Sequence, residues 1–438
     1  MKLKSIFRPL LSAVTIATTL TAMGAEPTET VRATGSNYYA YPYTDAPAPA
    51  LTPAPKGYVP FHMEHYGRHG SRWHIGSWVY PQPIKLLEPA ERAGKLTPRG
   101  KEILAQLRTI EQASHGRDGE LTPLGARQHR GIARRMVKNF PEIFTAGTFI
   151  DAKSTPVVRC ILSMSNELQE IESLKPGVKV RCDASYATQP ILNYTDTTAN
   201  KIYASTGKER KELIRPVAEA HKPSYQFLDH IVTDRKWAMD SMDVKNLLSA
   251  LFRIASNTQS HDDQPSLYDI FTEQELNDCW AVNNLEWFLQ YGNNPYTKGR
   301  GAMIQRYLLE DIILGADSAL VSPNRSANLR FGHEVALMLL AVLMELGHYG
   351  EEITDMTQVE EKWKNHEIFP MGSNIQLIFY RRPGATDASD VLVKAMLNER
   401  EMSLPGTPVT GPYYNWKEVA GHYLNRLNMP IDAPNTKK

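Results

Sequence analysis

Short apolar runs typical of β-strands alternate with helical segments along most of this chain, and the alternation limits the folds it can adopt. The runs begin at Tyr58, Thr148, Ala327, Asn374 and Asp390. Helical periodicity covers segments near 81–94, 98–114, 122–138 and 301–316. Strands that alternate with helices predict an α/β fold, with a mostly parallel sheet core and helices on both faces.

The chain also divides by composition. Residues 185–300 carry polar helical patterns, three of the seven tryptophans and no clear strand, which indicates a mainly helical cap inserted into the α/β core. The core then comprises 57–184 and 301–438. Residues 26–56 are rich in Pro, Ala and Tyr and predict an extended arm, since alternating Pro and Ala disfavour a helix. The tyrosines of this arm suggest that it packs against the body.

The first 25 residues have the pattern of a secretory signal peptide. Lys2, Lys4 and Arg8 precede a largely apolar run from Pro9 to Gly24, which ends in small residues. A membrane anchor is the alternative, but the run is shorter than the roughly 20 apolar residues of a spanning helix and is diluted by Ser and Thr. We therefore expect an exported protein, periplasmic or secreted, without stable membrane insertion.

Charge and cysteine content narrow the possible partners. The formal net charge is +1, which gives no overall reason to expect a nucleic acid partner. The three cysteines, Cys160, Cys182 and Cys279, allow at most one disulfide within the chain, and the pairing stays open. Neither a CxxC motif nor a Cys/His spacing typical of a metal site occurs.

The segment HYGRHGSRW carries the strongest chemical signal. His69 follows a predicted strand, at the end where ligands bind in open α/β sheets, and Gly67 and Gly70 allow a sharp turn beside it. Arg68 and Arg72 bracket the imidazole. Two guanidinium groups suit a phosphate dianion, because each can donate two hydrogen bonds to its oxygens. An exposed basic turn is the alternative reading of the isolated motif.

Further motifs follow in a fixed order and carry a family resemblance. STPVVRCILSMS contains Arg159, LRFGHE contains His333 and Glu334, and LTPLGARQH lies between the RHGSR motif and these two. NIQLIFYRR and VLVKAMLNEREMSLP follow towards the carboxyl terminus. Over residues 57–405 the chain resembles the acid phosphatase and phytase branch of the histidine phosphatase superfamily, including the multiple inositol polyphosphate phosphatases.

The resemblance implies a role for each of these residues. His69 would be the nucleophile, and Arg68, Arg72, Arg159 and His333 would bind the phosphate. Glu334 would donate a proton to the leaving group, without a metal or another cofactor. Most of the acid phosphatase branch has Asp directly after this histidine, and the inositol polyphosphate phosphatases have Ala and then Glu. The sequence His333-Glu334-Val335 matches neither pattern, and a Glu334 bound to its own helix N-terminus is the alternative.

The histidines near the RHGSR motif could also suggest a metal site. His62, His65, His69 and His74 lie close together in sequence with Glu64. In a strand, however, His62 and His65 face opposite sides, and the spacing differs from the helical H-E-x-x-H arrangement. We therefore expect no metal.

These inferences predict a histidine-type acid phosphatase, an exported phosphomonoesterase that forms a phosphohistidine intermediate. Its substrate would be a small phosphate monoester, and inositol polyphosphates hydrolysed in phytase-like fashion are the narrower expectation. One alternative is a phosphotransferase or mutase of the same superfamily. The other is a phosphate-ester binding protein with weak catalysis.

Overall fold

The computed structural model describes residues 27–193, 201, 205–297, 301–322, 324–385 and 387–428. The predicted signal peptide, residues 1–25, lies outside this part of the chain. Within the described residues, none of the helices has the length and apolar character needed to cross a membrane.

The described residues form one sheet of eight strands. The strands are β1 Val59–Arg68, β2 Phe149–Ser154, β3 Lys179–Asp183, β4 Arg325–Gly332, β5 Asn374–Arg381, β6 Leu392–Leu397, β7 Arg400–Met402 and β8 Tyr414–Asn415. They lie in the order β3-β2-β4-β1-β5-β6-β7, with β8 paired to β6. Strands β3, β2, β4 and β1 pair in parallel, whereas all pairings beyond β1 are antiparallel.

Helices surround the sheet. In the part of the chain that the structure describes, the α-helices are α1 Glu29–Ala33, α2 Pro81–Arg92, α3 Pro98–Ser114, α4 Pro123–Asn139, α5 Val158–Leu174, α6 Gln189–Leu192, α7 Gly207–Ala220, α8 Leu228–Ile231, α9 Arg235–Ser241, α10 Val244–Thr258, α11 Glu273–Tyr291, α12 Arg306–Val321, α13 Glu334–Leu343, α14 Val359–Lys362, α15 Asn365–Ile368 and α16 Trp416–Leu427. Thr97 and Thr122 cap α3 and α4 and are each followed by proline.

Side-chain alternation in the strands explains why helices cover both faces. In β5, Leu377 and Phe379 join a hydrophobic cluster with α12 and α13, whereas Ile378 and Tyr380 join another with α4 and α5. Successive residues of a strand point to opposite faces, so both faces of this sheet are apolar and buried. The predicted α/β fold is confirmed.

The antiparallel half follows from the path of the chain after β4. Helix α13 leads the chain away from the end of β4, and the segment 345–373 returns it to the same edge of the sheet. Strand β5 therefore starts where β1 ends, with Asn374 paired to Gly67. This return places residues 369–373 beside the RHGSR motif.

Within its described residues, the inserted region forms helices joined by loops and contributes no strand to the sheet. Its helices α8 and α10 share a hydrophobic cluster with α2 and α3, which precede β2 in the chain. Apolar residues of α2 and α3 therefore pack against 227–276 instead of against the sheet. The division into core and cap residues stays a prediction, and this packing joins two of the assigned core helices to the cap.

The amino-terminal arm packs against the body, as its tyrosines predicted. Tyr39 and Tyr41 are buried, and the Tyr41 hydroxyl donates to Glu399 at 2.7 Å. The amide of Met371 donates to the carbonyl of Tyr39 at 2.7 Å. The arm thus holds the segment that returns to the RHGSR motif.

Two glycines let helix α4 approach the loop after β1. A Cβ atom on Gly125 would lie 2.3 Å from the carbonyl oxygen of Ser71, and one on Gly70 would lie 2.4 Å from the carbonyl oxygen of Gly125. These are backbone atoms that a rotamer change cannot move. The contact therefore requires glycine at both positions.

We expect Gly125→Ala to lower the free energy of unfolding by about 1–3 kcal/mol through overpacking. Gly421→Ala is the matched control, because a Cβ atom there meets nothing within 4 Å and alanine favours a helix. Urea denaturation of both variants measures the difference. Equal midpoints for Gly125→Ala and the wild type would contradict the close contact.

Candidate active site

Three neighbouring parallel strands bring the predicted site residues to one edge of the sheet. Arg68 at the end of β1 is in register with Gly332 at the end of β4, so His69 and His333 follow at the same level. Their ring centroids are 5.8 Å apart. Helix α5 follows β2 and begins at Val158, so Arg159 lies in its first turn. The fold thus joins residues that are 264 positions apart in sequence.

Positive side chains concentrate at this edge. Arg68 and Arg72 are buried, and Arg159 and His333 are half-buried. Burial lowers the pKa of Arg68 to about 10, with Arg72 and Arg159 acting in the same direction and Glu334 opposing them. Arg68 therefore remains charged at acidic and neutral pH. The pKa of Arg159 is lowered as well, by burial and by Arg72.

Several donor atoms of these cations have no hydrogen-bond partner among the described residues. They are Arg68 Nε and Nη2, Arg72 Nε, Arg159 Nε and His333 Nδ1. The other contacts hold the guanidinium groups in place, since Arg68 Nη1 donates to the carbonyl of Phe369 at 2.6 Å and Arg72 Nη1 to that of Trp73 at 2.9 Å. Unpaired buried donors are costly, and a dianion with several acceptor oxygens would satisfy them.

The ring of His69 is oriented by the main chain. Its Nδ1 lies 2.9 Å from the carbonyl oxygen of Gly70, which can only accept, so Nδ1 carries the proton and Nε2 keeps its lone pair. Burial, and then Arg68 and Arg159, hold the pKa of His69 well below its usual value. Both effects favour the neutral imidazole, the form that could act as a nucleophile.

The carboxylate of Glu334 faces the imidazole from the start of helix α13. Its Oε2 lies 3.8 Å from His69 Nε2 and 3.4 Å from Arg68 Nε, and the side chain is 14% exposed. Burial raises the pKa of Glu334, but Arg68 and Arg72 outweigh it and lower the pKa to about 2. The structure therefore brings together the six residues named from the sequence, and their individual roles stay predictions.

Two contributions were missed by the sequence analysis. The ring of Tyr38, in the arm, lies 5.2 Å from the Arg72 guanidinium, and its hydroxyl lies 2.9 Å from His74 Nδ1. The sequence gives no local signal for this contact, because the arm reaches the site only through packing. Gln128 contacts Ser71, and the LTPLGARQH motif that contains it was noted without a role.

Two of the histidines near the motif, His62 and His65, lie beside carboxylates on opposite faces of the sheet. His62 Nε2 lies 2.8 Å from Glu64, on one face of the sheet. His65 Nε2 lies 3.9 Å from Glu167, on the other face. Among the residues that the structure describes, His, Cys, Asp and Glu side chains do not form a group of three suited to a metal ion.

A separate cavity of about 660 Å³ is lined in part by the 364–370 segment. Its lining includes Tyr39, Trp280, Glu360 and Arg400 but none of the six predicted site residues. Carboxylates outnumber arginine and lysine there, which does not suit a phosphate dianion. The edge of the sheet near His69 is therefore the stronger candidate for phosphate chemistry.

Comparison with known proteins agrees with this geometry. No protein-family model matches the sequence. Multiple inositol polyphosphate phosphatase 1 of Gallus gallus is 22% identical over 394 residues, which cover 82% of this chain and 81% of that protein. The protein of the same name from Homo sapiens is 22% identical over 330 residues, covering 71% of this chain and 66% of its own length.

Solved structures show the same fold. The multiple inositol polyphosphate phosphatase of Bifidobacterium longum, in complex with inositol hexasulfate, has a TM-score of 0.69 at 18% identity, covering 88% of this chain and 96% of that one. The phytase from D. castellii has a TM-score of 0.63 at 13% identity, covering 91% and 86%. The resemblance to the acid phosphatase and phytase branch is thereby confirmed: the chain is similar in sequence to multiple inositol polyphosphate phosphatases and similar in fold to a solved phosphatase of that name and to phytases.

Proposed function

We propose that this chain hydrolyses small phosphate monoesters through a phosphohistidine formed on His69. One observation carries the proposal: unpartnered donors of three arginines and His333 surround a neutral imidazole whose Nε2 is free. Phosphoryl transfer needs mainly positioning and stabilisation of charge on the transferred group, and these cations supply both.

In the first step, His69 Nε2 attacks phosphorus from about 3–3.5 Å. The N–P bond forms as the bond to the leaving oxygen breaks, and that oxygen takes a proton from Glu334. The leaving oxygen lies on the far side of phosphorus from Nε2, and the proposal requires Glu334, whose Oε2 lies 3.8 Å from Nε2, to reach it by a hydrogen bond. The arginines and His333 hold the non-bridging oxygens.

In the second step, Glu334 acts as a base. It removes a proton from a water molecule, whose oxygen bonds to phosphorus while the N–P bond breaks and its electron pair returns to Nε2. Inorganic phosphate leaves, and both Glu334 and His69 regain their starting protonation states.

Inositol polyphosphates are the proposed substrates within this class. The names of the relatives support this, and the Bifidobacterium longum protein is in complex with inositol hexasulfate, in which tetrahedral sulfate groups take the place of phosphate groups.

We also propose export, on the pattern of residues 1–25. A signal peptide predicts that the protein recovered outside the cytoplasm starts near Glu26, which amino-terminal sequencing checks; an intact Met1 in that fraction would contradict it.

The two alternatives differ in measurable ways. A phosphotransferase or mutase would transfer phosphate to an added alcohol in preference to water, which product analysis detects. A binding protein with weak catalysis would bind phosphate without turning over even a good leaving group. The nearness of Glu334 to His69 favours hydrolysis over the second alternative.

We expect His69→Ala to lower kcat for p-nitrophenyl phosphate by about 10³-fold or more, because the atom that bonds to phosphorus is gone. In the wild type, a burst of nitrophenol, one per site, should precede steady turnover if hydrolysis of the intermediate is slower than its formation. His115→Ala is the control, since that imidazole is exposed and lies outside the site. A fully active His69→Ala variant would refute the nucleophile.

We expect Glu334→Gln to lower kcat for phytate by about 10²–10⁴-fold and kcat for p-nitrophenyl phosphate much less, because nitrophenolate leaves without a proton. Glu361→Gln is the control, an exposed carboxylate beside the separate cavity. An equal loss for both substrates would argue against Glu334 as the proton donor.

The pH profile should carry the same signature. Glu334 has to hold a proton in the substrate complex, so wild-type kcat for phytate falls as pH rises above the pKa that Glu334 has there. The pKa of His69, lowered by burial and by the arginines, favours the neutral nucleophile. Steady-state rates across about pH 3 to 8 test this; a Glu334→Gln variant with an unchanged alkaline limb would contradict it.

A further inference from the structure

The loop that carries the nucleophile is held by an unbroken set of hydrogen bonds. Each backbone N–H and C=O of residues 69–71 has a partner. These bonds join His69 N to Gly332 O (3.0 Å), Gly372 N to His69 O (3.0 Å), Gly70 N to Ser163 Oγ (3.1 Å), His69 Nδ1 to Gly70 O (2.9 Å), Ser71 N to Gln128 Oε1 (2.8 Å) and Thr122 N to Ser71 O (2.9 Å). Two of them meet on a single peptide group.

That group is the peptide between Gly70 and Ser71. Its carbonyl oxygen accepts the proton of His69 Nδ1, and its N–H donates to Oε1 of Gln128. Gln128 is fully buried on helix α4, and its Nε2 also donates to the Ser71 hydroxyl at 2.9 Å. One glutamine therefore fixes the peptide whose other end orients the imidazole.

We propose that Gln128 is a positioning residue for the nucleophile, acting through the 70–71 peptide. This inference rests on the proposed role of His69. By fixing the direction of the Gly70 carbonyl, Gln128 sets which ring nitrogen of His69 carries the proton and where Nε2 points.

Two physical reasons make the glutamine necessary. Glycine places little restriction on its own backbone, so the peptide after Gly70 can rotate unless something holds it. A hydrogen bond at the N–H of a peptide also polarises its carbonyl and strengthens the bond that the carbonyl accepts. Without Gln128, the buried N–H of Ser71 would lose its acceptor, and the peptide would be free to turn towards another one.

The role predicted for Gln128 differs from phosphate binding. None of the hydrogen bonds described for Gln128 reaches Arg68, Arg72, Arg159 or His333. Its loss should slow the formation of the phosphohistidine and leave the affinity for inorganic phosphate unchanged.

The test compares Gln128→Met, which removes both hydrogen bonds, with Gln128→Glu, which keeps an acceptor for the Ser71 N–H while the Ser71 hydroxyl rotates to donate. We expect Gln128→Met to lower kcat for p-nitrophenyl phosphate by about 10²-fold, the effect of a misplaced nucleophile. Its KM and its inhibition constant for inorganic phosphate should stay near the wild-type values, and Gln128→Glu should recover most of the rate.

Gln106→Met is the control, because Gln106 lies on α3, whose apolar residues belong to a different hydrophobic cluster, and it should keep the wild-type rate. Thermal unfolding checks each variant. If Gln128→Met does not fold, Gln128→Asn takes its place, since a side chain shorter by one methylene withdraws the acceptor but stays polar.

The outcomes separate the two proposals. An active His69→Ala variant would refute the proposed function itself. An inactive His69→Ala together with a folded Gln128→Met of wild-type rate would refute only the role of Gln128. A rate loss accompanied by an equal loss of phosphate affinity, or not restored in Gln128→Glu, would show that Gln128 is merely structural.

Discussion

The site depends on the repulsion among three guanidinium groups that the fold holds around one imidazole. Burial and mutual repulsion lower the pKa of Arg68 to about 10, yet its Nη1 is anchored on the carbonyl of Phe369. Glu334 is the carboxylate that approaches this cluster, at 3.4 Å from Arg68. A dianion placed among the free donors would relieve the repulsion that the folded chain sustains by itself, which is why this edge of the sheet suits phosphate.

Sequence reasoning found the parts of the site that are encoded locally. His69 and its flanking arginines lie in one motif, and His333 follows a strand whose apolar run is recognisable, but it was the family resemblance that predicted their meeting. The same rules cannot give a strand direction set by a long connection, which is why the antiparallel half from β5 onward was missed. The contact of Tyr38 was not predicted for a similar reason, because only the packing of the arm against the body brings Tyr38 close to Arg72.

Local rules also failed where packing crosses the predicted domain boundary. Helices α2 and α3 have apolar faces that fit any partner, and only the folded chain shows that they pack against 227–276. The close approach of Gly125 to Ser71 could not be predicted either. The LTPLGARQH motif contains the glycine, but it does not indicate that the backbone of Ser71 lies against it. Contacts of this kind also position Gln128. The LTPLGARQH motif could therefore be recognised from the sequence, whereas the proposed role of Gln128 could be inferred only from the folded chain.

The positive charges that favour a neutral His69 also favour an ionised Glu334, and in the proposed mechanism a bound phosphate dianion counteracts this second effect. Burial, together with Arg68 and Arg72, favours the neutral form of His69, but the same two charges lower the pKa of Glu334 to about 2 and favour its ionised form, whereas the proposed mechanism needs the protonated one. A phosphate dianion bound to the arginines compensates their charge and adds its own, and both effects raise the pKa of Glu334. In the proposed mechanism, Glu334 therefore takes up its proton when the substrate binds. Glutamate is one methylene longer than aspartate, and from the start of α13 its carboxylate lies 3.4 Å from Arg68 Nε; the mechanism requires the same carboxylate to reach the leaving oxygen.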